Sequence, residues 1–161
     1  MDVITISPTV GIRISADYYN TFMAQQAKGE NKKDARDVFI YDYQRFVWAF
    51  ILGIKSGERK PLLGKTESAF KWQIINNRTE IARLIIGLCL QEKYGDNPKA
   101  LKEDFEKQSK GELNLGEDIR TMVEEYANKG FEIIMNKTAL NLTYIEDFET
   151  IVKDILDNEN I

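Results

Sequence analysis

The segment from Val38 to Ile54 constrains the fold more than any other part of this chain. Its second half, from Phe46, is apolar around most of the helical circumference, the pattern of a helix covered by neighbours on several sides. A central helix is therefore expected over about Asp34 to Lys55, and it runs straight into a loop, Lys55 to Lys65, broken by Gly57 and Pro61. That loop carries Lys55, Arg59, Lys60 and Lys65 and is where positive charge gathers.

The remaining pattern is also helical. Val3 to Ile6 and Gly11 to Ile14 alternate around Ser7-Pro8-Thr9, which predicts a short hairpin or an ordered arm over residues 1–14. Ser15 opens a helix to about Lys28, ended by Gly29, with Tyr18, Tyr19, Phe22 and Met23 on one side. After the basic loop, Thr66 or Ser68 begins a short helical or irregular piece through Ile75, closed by Asn76-Asn77. Thr79 to Lys93 reads as a buried helix closed by Gly95, with Ile81, Leu84, Ile85, Leu88 and Cys89 at helical spacing. Asn97-Pro98 starts another to about Lys110, burying Leu101 and Phe105. Glu117 to Lys129 is a helix with acids in its first turn, expected to stop in a left-handed cap at Gly130, and Phe131 to Met135 follows as a separate apolar piece. Thr143 to Glu146 forms a capping box that opens a last helix with an Ile145, Phe148, Ile151, Val152, Ile155, Leu156 stripe. The fold class expected is all-α, one compact domain of six or seven helices over residues 15–161.

Composition excludes more chemistry than it suggests. The 161 residues contain no histidine and one cysteine, Cys89, set in an apolar run where a thiol behaves as a core hydrophobe. Histidine-based triads, histidine acid–base catalysis and Cys/His zinc sites are gone, as is any intrachain disulfide. No Gly-rich phosphate loop is present, because Gly53, Gly57 and Gly64 are spaced too widely. No cofactor or metal is expected. The N-terminus lacks a basic start and a long apolar stretch, and the longest apolar run, Phe46 to Ile54, is short of the ~20 residues that span a bilayer. The expectation is a soluble, cytoplasmic protein that does not enter the membrane.

Net charge is −4, with a pI near 5.1, which argues against wholesale coating of nucleic acid. The distribution is uneven. From Lys55 to Leu84 seven basic residues face three acidic ones, whereas from Gln91 to Ile161 nine basic face seventeen acidic. The candidate contact surface is accordingly Lys55, Arg59, Lys60 and Lys65 with Lys71 and Arg78, able to meet DNA phosphates beside Trp72 or Tyr43 as stacking surfaces, or to meet an acidic partner protein. Cations complementing a helix C-terminus account for the same loop without a ligand. The acid sets Asp34/Asp37, Glu103/Asp104/Glu106 and Glu146/Asp147/Glu149 could in principle offer oxygen ligands for a divalent metal, but solvated faces and helix N-termini explain them without a site. Asp42 is expected to pair with Arg45, three residues on. The aromatic set Phe39, Tyr43, Phe46, Trp48 and Phe50 reads as core, and the C-terminal stripe packs either on its own domain or on another copy of the chain.

Two short blocks then carry a family resemblance: Gly53-Ile-Lys55 with Gly57-Glu-Arg-Lys-Pro-Leu62, and, about sixty residues on, Glu124-Glu-Tyr-Ala-Asn-Lys-Gly130. They resemble the small proteins called DNA phosphorothioation-associated protein 4, encoded beside bacterial systems that modify or restrict DNA by its sulfur content. In that resemblance Gly57, Arg59 and Pro61 correspond to the residues after the central helix, and Glu125, Tyr126, Ala127 and Gly130 to the second block. It implies a setting in antiphage defence and transfers no catalytic residue. The function expected is a non-enzymatic accessory or adaptor of a DNA modification or restriction system, bound to DNA or to another defence protein. The alternative is a metal-dependent nuclease or phosphodiesterase subunit whose carboxylates assemble only in the fold.

Overall fold

The computed structural model describes residues 4–23, 42–138, 153, 156 and 157. In Gly11–Ser15 the apolar Ile12 and Ile14 alternate with Arg13 and are buried, so the segment pairs as a strand, β1. Its antiparallel partner, β2, is Thr66–Lys71, with the ladder framed by Ala16 N–H on the Lys65 carbonyl (3.0 Å) and Trp72 N–H on the Val10 carbonyl (2.9 Å). The short two-stranded element expected near the N-terminus is present, with its second strand supplied from after the basic loop. This corrects the reading of residues 66–71 as helical or irregular. Glu67, Ser68 and Ala69 carry no strong strand preference, and the ladder offered by β1 decides their conformation.

Six helices follow the strands or lie between them among the described residues: α1 (Ala16–Phe22), α2 (Asp42–Ser56), α3 (Gln73–Asn76), α4 (Thr79–Tyr94), α5 (Pro98–Ser109) and α6 (Leu115–Thr138). The mostly helical class expected is the class found. Ser15 stands at the start of α1 but makes no side-chain cap bond. Asn97 does cap α5, accepting from the Ala100 N–H at 3.1 Å, with Pro98 at the first helical position. Leu101 and Phe105 are only half-buried, however, and no residue of α5 is fully enclosed. In α4, Ile85 and Cys89 are core but Leu84 is 50% exposed, so that helix is buried on one side only. The expected starts and ends at Asp34–Tyr41, Gly29 and Thr143–Glu146, the acids Asp34, Asp37, Glu146, Asp147 and Glu149, and Phe39 lie outside the described residues.

The chain divides into two compact units, Met1–Ile12 with Lys71–Val123, and Arg13–Phe70 with Glu124–Ile161; α6 supplies residues to both. In the first unit the enclosed side chains include Ile4, Ile6, Trp72, Ile75, Ile85, Cys89, Leu115 and Ile119. In the second, Phe131 is the centre of an aromatic cluster, with ring centroids 5.4 Å from Phe22, 6.1 Å from Tyr18 and 6.4 Å from Phe46, and Phe46 meets Phe70 edge-on at 5.1 Å. Arg45 is buried in the same unit and donates to the carbonyl of Phe22 at the end of α1 (2.6 Å). Burial pushes the Asp42 carboxyl above its ordinary value, and the charge of Arg45 partly offsets that.

The firmest boundary expected from sequence is the one the structure moves. Helix α6 does not stop at Gly130; it continues to Thr138, and Gly130 has no left-handed backbone angle. Glycine inside a helix costs about 1 kcal/mol against alanine. Here its missing side chain admits the backbone of α2: a Cβ on Gly130 would stand 1.7 Å from the Ala49 carbonyl oxygen, and a Cβ on Gly53 would stand 1.9 Å from the Tyr126 carbonyl oxygen. The two contacts, 49 to 130 and 53 to 126, are one helical turn apart on each helix and run in opposite directions. Helices α2 and α6 therefore cross antiparallel at backbone contact, each contributing the glycine the other needs.

Candidate partner-binding loop

The basic loop starts where α2 ends. Gly57 turns the chain out of the helix in the left-handed region (φ +69°), and the Ser56 hydroxyl accepts from the Glu58 N–H at 3.3 Å. The chain then lies along α6. Lys60 N–H donates to the Glu125 carbonyl (3.1 Å), and the buried Asn128 amide donates to the carbonyls of Lys60 and Pro61, both at 3.3 Å. Main-chain anchors at consecutive residues hold the loop as a fixed ledge on the helix.

Its charges are held too. Arg59 pairs with Glu125 at 3.4 Å. Lys60 Nζ donates to Glu132 Oε1 (2.6 Å) and to the Tyr18 hydroxyl (2.8 Å); Glu132 pairs onward with Lys129 (3.0 Å), and Lys129 with Glu58 (2.7 Å). Lys65 lies 3.3 Å from Glu67, and Lys55 Nζ donates to the Leu156 carbonyl (3.0 Å). Four cations that looked like an open basic patch are thus satisfied within the second unit. Each exposed pair is worth little by itself, but a carboxylate against each of Arg59, Lys60 and Lys65 lowers the positive field the loop offers a phosphate backbone.

The network sets a pH dependence. Hydrogen bonds from Lys60 and then Lys129 hold the Glu132 carboxyl below its ordinary 4.5, while the bond to Glu132 raises Lys60 and the bond to Glu58 raises Lys129 above 10.5. A carboxyl whose folded value is depressed stabilises the fold above its unfolded value and loses that contribution as pH falls through the folded one. The lysines contribute below 10.5 and lose it as pH rises through their folded values. The stability gap between the protein and Glu132→Gln is expected to be full near neutral pH and to shrink as pH drops below 4.5. Urea titrations that show the same gap on both sides of that value count against the network.

The six predicted site residues do not form one surface within a unit. Lys55, Arg59, Lys60 and Lys65 belong to the second unit and Lys71 and Arg78 to the first. Lys71 is exposed at the end of β2, and Arg78 is half-buried, with Nη1 donating to the Ile74 carbonyl at 2.5 Å. Trp72, expected as a stacking surface, is 1% exposed and is core instead; Tyr43 is half-buried. Asp104 takes hydrogen bonds from Tyr94 (2.9 Å) and Lys107 (3.0 Å), and those bonds, the lysine's first, hold its carboxyl low. Among the described residues no group of three or more Cys, Asp or Glu is placed to hold a metal ion. Sequence reasoning missed Glu125, Asn128 and Glu132, which hold the loop, and Leu63, whose side chain is 80% exposed at its tip.

The signal for Glu125 and Asn128 was the pairing of two distant blocks in one resemblance; Glu132 lies two residues past the second block. Gly53, Glu58, Arg59, Lys60 and Pro61 in one block contact Tyr126, Lys129, Glu125 and Asn128 in the other. A family model for DNA sulphur modification system-associated protein 4 matches residues 12–160. The chain belongs to that family. The match spans both blocks and all the residues between them. No curated protein and no solved structure matches the chain. No helix among the described residues is long and apolar enough to cross a membrane.

Proposed function

We propose that this chain is a non-enzymatic accessory protein of a DNA sulphur modification system and that it docks on another protein of that system through the tip of the Lys55–Lys65 loop. One observation carries the reading: the loop is anchored on α6 with its cations paired, while Leu63 projects from it 80% exposed. Stretching out such a side chain has no structural return inside the chain, and an exposed apolar anchor on a loop that carries Arg59 and Lys65 suits a pocket with an acidic rim. DNA fits the loop less well, because a phosphate would have to displace Glu125 or Glu132 from Arg59 or Lys60. The absence of histidine and the burial of Cys89 support a role in binding over catalysis.

The test is co-purification with the proteins encoded in the same sulphur modification system. Leu63→Asp is expected to weaken the complex at least tenfold, about 1.4 kcal/mol or more, with an unchanged melting temperature because the side chain touches solvent. Charge reversal at Arg59 or Lys60 is a poorer probe, since it also repels Glu125-paired and Glu132-paired structure. Full retention of the complex by Leu63→Asp would move the contact elsewhere, and chelator-sensitive DNA cleavage by the purified protein would replace this reading with the nuclease one.

A further inference from the structure

The first unit presents a second polar surface of opposite construction. Between β2 and α4 the side chains of Trp72 and Ile75 point inward, 1% and 0% exposed. The backbone beside them is fastened to the N-terminal turn by Trp72 N–H on the Val10 carbonyl (2.9 Å) and Gln73 N–H on the Pro8 carbonyl (3.0 Å). With those two plugs fixing the turn, Lys71, Gln73, Asn76 and Asn77 are left facing solvent, and Arg83 is exposed on the first turns of α4. Arg78 is held in place by its bond to the Ile74 carbonyl. Among the described residues Lys71 and Arg83 make no ion pair, and the side-chain amides of Gln73, Asn76 and Asn77 make no hydrogen bond.

Rigid backbone with unspent polar groups is costly to leave idle only in the sense that it is preorganised for a ligand. From Lys71 to Arg83 the chain carries three cations and one acid, Glu80. The large apolar side chains exposed with it are Ile74 at 38% and, next to Arg83, Leu84 at 50%; neither is aromatic, and the exposed polar side chains of Lys71, Gln73, Asn76, Asn77 and Arg83 outnumber them. Protein interfaces have apolar and aromatic centres, whereas protein–DNA interfaces are polar and positive, with hydrogen bonds to phosphate from Lys, Arg, Asn and Gln. The geometry points to this surface as a contact face for duplex DNA, in which Lys71, Arg78 and Arg83 meet phosphates and the amides of Gln73, Asn76 and Asn77 donate to phosphate or base edges. Nothing in this inference depends on the loop of the second unit. It adds a DNA-binding face to a protein whose loop takes a protein partner, which is what an adaptor requires.

Fluorescence anisotropy of the full chain with a labelled mixed-sequence duplex of about 25 base pairs, from about 50 to 200 mM salt, tests it. Binding is expected to weaken steeply with salt. Lys71→Ala/Arg83→Ala is expected to lose at least tenfold in affinity at the lowest salt and to flatten the salt slope by about two, one per cation removed. Asn76→Asp/Asn77→Asp, which keeps both cations, is expected to lose affinity comparably because it sets carboxylates against the phosphates. Leu63→Asp is expected to bind the duplex as the unaltered protein does, so failure of the loop reading and failure of this one give different results. All these positions are exposed, and circular dichroism melts verify that the variants fold. The inference is overturned if the chain shows no salt-sensitive duplex binding, if the alanine pair leaves affinity and slope unchanged, or if that pair disrupts only the complex with a partner protein.

Discussion

Gly130→Ala is expected to destabilise this protein by about 3 kcal/mol or more, at the upper end of what overpacking costs, and to lower its melting temperature by about 10 °C. The added methyl would meet the Ala49 carbonyl oxygen at 1.7 Å, and that oxygen is helix backbone with no flexible end to swing aside. Relief requires α2 and α6 to separate, which pulls Phe131 from Phe46 and Tyr126 from Phe50. Gly87→Ala is the matched control. Gly87 is also inside a helix, exposed, with nothing within 4 Å of an added Cβ. There the substitution is expected to stabilise by about 0.5–1 kcal/mol through helix propensity alone. Calorimetric scans in which the two variants shift the same way would refute the backbone contact at the α2–α6 crossing.

Glu124→Ala carries the second large effect, a loss of about 2 kcal/mol, chiefly the cost of a strand N–H left without its acceptor. The Glu124 side chain is 2% exposed, and its carboxylate accepts from the Arg13 backbone N–H (2.9 Å), from Arg13 Nε (3.2 Å) and from Nη2 (2.9 Å). It thereby ties β1 to α6 inside the second unit. Removing the acceptor leaves a strand N–H without its partner, while the half-exposed guanidinium can return to water. Arg13→Met alone leaves the buried carboxylate the backbone N–H of residue 13 but takes away its guanidinium, and is expected to be at least as damaging. The Arg13→Met/Glu124→Met pair removes both charges and is expected to cost less than Arg13→Met, a sign a double-mutant cycle in urea reads directly. A cycle with no coupling would mean that the carboxylate is solvated.

Local chemistry made several elements readable. Asn97-Pro98 announced the start of α5, Gly95 the end of α4, and the apolar half of α2 its burial, because capping and periodicity are properties of neighbouring residues. The misreadings share a cause. Gly130 looks like a helix stop by every local criterion, and only the arrival of Ala49 from far away in the chain turns it into a crossing point. Thr66–Lys71 has no strand signal of its own until β1 pairs with it. The loop illustrates the same limit for function. Its cations were plain in the sequence, but the acids that meet Arg59 and Lys60 sit on α6, more than sixty residues away, so their pairing was not legible there.

By itself the sequence determined the helical class, the family and the exclusion of histidine chemistry, since each depends on composition or on residues close together in the chain. Only the tertiary structure decided which charges are spent and which are available. Arg59 and Lys60 are spent on Glu125 and Glu132 because the α2–α6 crossing at Gly53 and Gly130 brings the loop down onto α6. Among the described residues Lys71 and Arg83 have no ion-pair partner, and Trp72 and Ile75, packed inward, leave the polar side chains of the turn between β2 and α4 facing solvent. Charge is written in the chain, but its partner is a matter of distance, and distance exists only after folding.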